Sequence, residues 1–170
     1  MVLVASPHLK DPHFTQAVVY LVDHGPDGSL GFIVNRPLDV PLSTLWDEVP
    51  TRFRDLRIAA LGGPVDPDKG LLLHGHPDLP ESQPMAKGIA VGGSISALLT
   101  RYADGPDQTG PRLLLGHSGW VPGQLDHELS AGAWLLRPGQ PSWLLDAIPP
   151  VHLWQHLLDG RPGLPDPSLN

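Results

Sequence analysis

Thr15-Gln16-Ala17-Val18-Val19-Tyr20-Leu21-Val22-Asp23-His24-Gly25-Pro26-Asp27-Gly28-Ser29-Leu30-Gly31-Phe32-Ile33-Val34 decides the fold class. Residues 15–23 form a nearly continuous run of β-branched, aliphatic and aromatic side chains, the composition of a strand buried on both faces. Gly25-Pro26-Asp27-Gly28 is turn chemistry. Apolar character resumes over 30–34 and stops at Asn35-Arg36-Pro37. Two strands joined by so short a turn predict a hairpin.

Outward from the hairpin, strands continue to outnumber helices. Leu42, Leu45, Trp46 and Val49 recur at helical spacing, with Pro41 suited to a first helical position and Pro50 as the stop. Short strands are expected at 57–61, running into Gly62-Gly63-Pro64-Val65, and at 70–74. A polar, Pro-rich loop should follow over 75–84. A strand at 88–91 leads through Gly92-Gly93 to Ser94, a plausible N-cap for a helix carrying Ile95, Leu98, Leu99 and Tyr102. After a strand at 112–115, residues 116–123 read as a dense turn and 124–131 as a helix capped by Gly132. Segments 133–136 and 142–145 should pair around Pro138-Gly139-Gln140-Pro141, and 151–158 is the last helix. Strands and helices do not alternate strictly, which favours an α+β fold over a doubly wound sheet. One domain is expected over 1–160, with a loose Pro-rich tail at 161–170.

Composition narrows the function. The chain has 170 residues, 11 basic and 18 acidic, for a net charge of −7. Non-specific DNA affinity comes mainly from Lys and Arg meeting phosphates, so direct DNA contact is disfavoured. Arg52, Arg54 and Arg57 lie close together, but in a polar stretch that also holds Asp55. There are no cysteines, which excludes disulfides, thiol catalysis and Cys-based metal sites. The longest uncharged stretches, 88–100 and 113–125, are well short of the ~20 apolar residues of a membrane helix. No signal-peptide pattern opens the chain. A soluble, cytoplasmic protein is the simplest expectation.

No single motif is a strong catalytic signature. Gly116-His117-Ser118-Gly119-Trp120 resembles a nucleophile elbow, but G-x-S-x-G needs Gly where Trp120 stands. Ser118, Asp126 and His127 follow the right chain order for a triad. Yet Asp126 and His127 are helix neighbours and should point about 100° apart, so a plain strand-to-helix turn is the better reading. His74 and His76 should share one side of a strand end. His152, His156 and Asp159 should share one side of the last helix. Two His without a fixed third ligand make a poor metal site, and none is expected. Gly92-Gly93-Ser94 at a helix start has the chemistry of an anion site but neither phosphate-loop spacing. Asp11 with Asp126 or Glu128 has the chemistry of an acid/base pair, without a distance to support it. No cofactor is expected.

The motifs are more specific in combination. Ala5-Ser6-Pro7-His8-Leu9-Lys10-Asp11-Pro12-His13-Phe14 precedes the first hairpin strand. Gly31-Phe32-Ile33-Val34-Asn35-Arg36-Pro37, Gly62-Gly63-Pro64-Val65 and Leu72-Leu73-His74 follow in order. Then comes Gly119-Trp120-Val121-Pro122-Gly123-Gln124-Leu125-Asp126-His127-Glu128, with Trp134 beyond. In that order and spacing, over nearly the whole chain, they resemble the YqgE/AlgH family of bacterial proteins.

The resemblance implies an α+β fold with a bifurcated, partly barrel-closed sheet surrounded by short helices. It also implies the family's label of transcriptional regulator, which reflects an effect on gene expression and need not mean contact with DNA. A protein acting by binding an unknown protein or metabolite partner, rather than an enzyme, is the leading expectation. The alternative is a binder of small anionic ligands, or an enzyme acting on them. Ser6, Pro7, Pro12, Phe14, Pro37, Gly62, Gly63, Pro64, Gly119, Trp120 and Gly123 match the family motif as fold-setting residues. Asp11, Asn35, Arg36 and Gln124 match it as polar groups at element ends, the candidates for ligand binding. Three features depart from the family. The chain opens directly on its first strand, Asp126 stands where Glu is usual, and Ala131-Gly132-Ala133 precede Trp134 where Asn is common.

Overall fold

A computed structural model describes residues 1–146 and 151–160. The chain begins with β1 (Val2–Ala5), β2 (Val18–Gly25), β3 (Gly28–Ile33), α1 (Leu42–Leu45) and a 3-10 turn at Thr51–Phe53. It continues through β4 (Ala59–Leu61), β5 (Val65–His74), β6 (Ser82–Ala86), β7 (Ile89–Gly92) and α2 (Ile95–Arg101). Then follow β8 (Arg112–Trp120), α3 (Gln124–Ser130), β9 (Trp134–Arg137), a 3-10 turn at Pro141–Leu144 and α4 (Leu153–Leu158). The predicted hairpin is β2–β3, paired from Val19–Ile33 to Gly25–Gly28.

The nine strands form one sheet in the order β6-β7-β5-β8-β3-β2-β1-β9, with β4 attached to β8. All pairs are antiparallel except β4–β8. Strand β8 is where the sheet branches. Its first half, Leu113 to Leu115, lies between β4 and β5, and its second half, Ser118 to Trp120, pairs with β3. Among the described residues the sheet is not closed: its path ends at β6 and β9.

Glycine makes the branch sterically feasible. Gly116 sits at φ +70, and a Cβ there would stand 2.3 Å from the Gly63 carbonyl oxygen. A Cβ on Gly62 would stand 2.4 Å from the Gly116 carbonyl oxygen, and one on Gly63 2.3 Å from that of His117. Only glycine lets two backbones approach so closely.

Three apolar clusters flank the sheet. One buries Val2, Val4, Val18 and Phe32 beneath Trp143 and Leu153. A second gathers Leu42, Phe53, Leu98 and Tyr102 over Leu113. The third packs Leu3, Val19, Ile33 and Trp120 against Leu125 and Trp134. β1 thus alternates between two clusters, its even residues facing α4 and Leu3 facing α3.

Several elements differ from expectation. The helix predicted over 42–49 ends at Leu45, because Trp46 turns to extended backbone, and Pro41 is its N-cap rather than its first helical residue. The loop expected over 75–84 already contains the start of β6, an edge strand on which Pro84 is tolerated. The dense turn expected over 116–123 is mostly strand, since β8 runs to Trp120. Segments 133–136 and 142–145 do not pair. β9 pairs instead with β1, and Pro141 starts a 3-10 turn. The tail at 161–170 lies outside the described residues.

Candidate functional site

Segment 6–17 crosses from β1 to β2 and is tied down at several points. Ser6 donates its amide to the Ala133 carbonyl at 2.9 Å, and its hydroxyl oxygen accepts the His8 amide at 3.3 Å. The Asp11 carboxylate accepts the His13 amide at 2.8 Å, and its carbonyl accepts the amides of Phe14 and Thr15. Pro7 and Pro12 are exposed along this stretch. Phe14 turns inward, stacked 6.2 Å from Trp120 and edge-on 5.5 Å from Trp134.

Asn35 and Arg36 hold the other side of the segment. Asn35 Oδ1 accepts the Val18 amide at 2.9 Å and its Nδ2 donates to the Gln16 carbonyl at 2.9 Å. The Arg36 guanidinium donates to the Thr15 carbonyl, and burial lowers its pKa from the ordinary arginine value. Gln124 stands apart at the start of α3, its Oε1 accepting the Val121 amide at 3.1 Å. Asp11, Asn35 and Arg36 therefore converge on one segment. Among the described residues no hydrogen bond or ion pair joins Gln124 to them.

The remaining motif residues are placed as follows. Pro37 bridges Ala60 beside the branch, and Pro64 follows the glycine pair into β5. Gly119 pairs with Leu30, with open space where its Cβ would be. Gly123, at φ +80, is the N-cap of α3.

The chemistry weighed from sequence mostly dissolves. Ser118 is neither an elbow nor a strand-to-helix turn: it is wholly buried inside β8, donating to the Gly62 carbonyl at 3.2 Å. His74 is wholly buried. His76 donates its amide to His74 Nδ1 at 3.1 Å, so the ring carries its proton on Nε2, 2.9 Å from the Gly92 carbonyl. The His76 ring instead meets Thr109 Oγ1 at 3.0 Å. No three metal-binding side chains cluster among the described residues. Ser94 caps α2 through the Ala97 amide.

One arrangement was missed. His24 Nδ1 lies 2.5 Å from Ser29 Oγ across the hairpin, and His24 Nε2 lies 3.2 Å from Asp126 Oδ1 on α3. The His24–Ser29 contact was legible in the sequence, because a turn over 25–28 places those two residues opposite each other. Asp126 is remote from both in sequence, so local pattern does not connect it with His24 or Ser29.

The fold so described is an α+β protein on a branched antiparallel sheet. The chain belongs to the AlgH-like family, whose model matches residues 2–163. It is 36% identical over 158 residues to the UPF0301 protein AlgH of Pseudomonas aeruginosa, covering 89% of this chain and 82% of that one. A UPF0301 protein of Stutzerimonas stutzeri is 35% identical over 150 residues, 85% of this chain and 78% of that one. The solution structure of P. aeruginosa AlgH superposes with a TM-score of 0.68 at 31% identity, covering 96% of this chain and 94% of that one. A crystal structure from Corynebacterium diphtheriae shares the fold at TM-score 0.69 and 21% identity, over 95% and 85% of the two chains. No helix among the described residues is long and apolar enough to cross a membrane.

Proposed function

We propose that the protein is a cytoplasmic regulator that acts by binding a protein or metabolite partner, not by contacting DNA. The regulatory part follows from the resemblance to the family. The exclusion of DNA rests on one observation: the three clustered arginines are turned onto their own chain. Arg57 donates to the Asp39 carbonyl at 2.7 Å and pairs with its carboxylate at 3.0 Å. Arg54 reaches the Asp47 carbonyl at 3.3 Å, and Arg52 the Ala103 carbonyl. These bonds would compete with phosphate contact, on a chain of net charge −7.

The alternative, an anionic ligand held by Asp11, Asn35, Arg36 and Gln124, draws less support. Asn35 spends both polar atoms of its amide on the backbone of Gln16 and Val18, and the Arg36 guanidinium donates to the Thr15 carbonyl. The test is a fluorescence-anisotropy titration with mixed-sequence duplex DNA, from low to physiological salt. The expected outcome is no binding even at low salt. Binding whose log affinity falls linearly with log salt would overturn the reading.

A further inference from the structure

We propose that Ser29, His24 and Asp126 form a hydrolytic site for esters, with the apolar cleft beside His24 taking the acyl chain. A cross-strand His–Ser pair and a surface His–Asp pair are each ordinary. Here one imidazole makes both contacts, through its two different nitrogens. That is the linkage of nucleophile, base and orienting acid in acyl-transfer sites, with the two imidazole nitrogens exchanged relative to the serine-protease triad.

The fold brings the three together by identifiable devices. The β2–β3 register shifts between Leu21 and Asp23, leaving Val22 as an extra residue. Paired residues of an antiparallel ladder share a face, so Leu21 shares one with Gly31, and His24 one with Ser29. Gly31 and Ser29 are two apart on β3. The bulge therefore turns His24 onto the same face as Leu21, where α3 packs; a regular strand would turn it away. Ser29 pairs with Trp120 at the end of β8, only a three-residue turn before α3. Gly28 lies so close that a Cβ would stand 2.6 Å from the Trp120 carbonyl oxygen. This contact fixes the first turn of α3, and Asp126 with it, against the hairpin tip.

The cleft supplies the second half of the argument. It holds about 290 Å³ and is walled mainly by apolar side chains, among them Leu21, Leu125, Leu129 and Leu136, with Asp23 and His24 also lining it. An apolar chain of several carbons fits such a space. Its carbonyl would then reach the rim, beside the imidazole.

The chemistry balances without any cofactor. With the proton on Nε2 directed at Asp126, Nδ1 is free to accept the Ser29 proton. Ser29 Oγ adds to the acyl carbon, the bond from that carbon to the alcohol oxygen breaks, and His24 passes its proton to the leaving alcohol. Water, deprotonated by the same nitrogen, then adds to the acyl carbon, the bond from that carbon to Ser29 Oγ breaks, and Oγ takes the proton back from His24. Ester plus water becomes acid plus alcohol. Ser29 and His24 are the catalytic residues, and Asp126 is a positioning residue.

The experiment uses the full chain with p-nitrophenyl acetate and p-nitrophenyl octanoate, followed by mass spectrometry after labelling with a fluorophosphonate. Nine histidines make some non-specific ester cleavage unavoidable, so the comparison is between variants whose circular dichroism matches the parent chain. The expected result is turnover favouring octanoate, a label on Ser29, and loss of both in Ser29→Ala. His24→Gln should lower kcat by about a hundredfold. Asp126→Asn should lower kcat several-fold with KM unchanged, and Asp126→Glu should restore part of it. Leu129→Gln should abolish the octanoate preference. Turnover and labelling unchanged in Ser29→Ala, or no turnover above an equal concentration of free imidazole, would overturn the proposal.

Discussion

Asn35 accepts the Val18 amide at 2.9 Å, an amide whose own residue is fully buried at the start of β2. With its Nδ2 on the Gln16 carbonyl, this one side chain closes the mouth of the hairpin and anchors the incoming segment. It satisfies backbone that the ladder leaves unpaired.

Asn35→Ala removes both bonds and strands the Val18 amide out of reach of water. The cost should be about 1–3 kcal/mol. Asn35→Asp keeps the acceptor and should cost less. Urea denaturation of the two variants checks the order. A destabilisation by the alanine of under about 0.5 kcal/mol, the level of an ordinary surface change, would refute the role.

The motif glycines should separate sharply into two kinds. A Cβ on Gly62 would meet the Gly116 carbonyl oxygen at 2.4 Å and the Phe32 ring at 2.9 Å, while one on Gly119 meets nothing within 4 Å. Gly62→Ala should therefore cost about 3 kcal/mol or more, by forcing the two backbones apart at the branch. Gly119→Ala should stay within about 0.5 kcal/mol of the parent chain. Thermal melts of the pair decide the matter, and similar losses in both would refute it.

Local pattern carried the local structure. The β2–β3 hairpin, the Ser94 cap and the short helix after Gly123 were all legible, because each is specified by residues within a few positions. What failed was non-local. β9 looks locally like half of a hairpin, yet its partner is β1 at the other end of the chain, so Leu136 faces Leu3. The α1 pattern runs on to Val49, but Trp46 leaves helical backbone and packs with Leu38 and Leu56 over the second apolar cluster. The candidate site divides in the same way. His24 opposite Ser29 follows from the turn, whereas Asp126 reaches them only because β8 pairs with β3.

Phe14, Trp120 and Trp134 form a mutual aromatic contact, the two Trp rings lying 6.1 Å apart at 79°. Phe14 is thus the apolar anchor of segment 6–17 opposite its polar ties to Asn35 and Arg36. Phe14→Leu preserves hydrophobicity but loses the ring geometry, and should cost about 1–2 kcal/mol. Tryptophan emission of the variant should also shift to longer wavelength, as water reaches Trp120. An unchanged spectrum and melting temperature would show that the segment is held by its hydrogen bonds alone.

His74 should give the protein an acid-sensitive stability. Burial lowers its pKa from the ordinary histidine value, and the neighbouring His76 lowers it further. The Gly92 hydrogen bond and Asp78 act in the opposite direction without reversing the shift. The geometry explains the shift: a proton on Nδ1 would face the His76 amide that now donates to that nitrogen. Because the folded-state pKa is the lower one, the unfolded chain takes up the proton first as pH falls. The contribution is therefore complete above the ordinary histidine pKa of about 6.5 and is lost as pH falls from there through the lowered value. Urea titrations at pH 8 and in mild acid should show the parent chain losing stability between the two. His74→Gln should start lower, because one or more buried hydrogen bonds are gone, and should lose less on acidification. An equal loss in both proteins would assign the acid sensitivity to other groups.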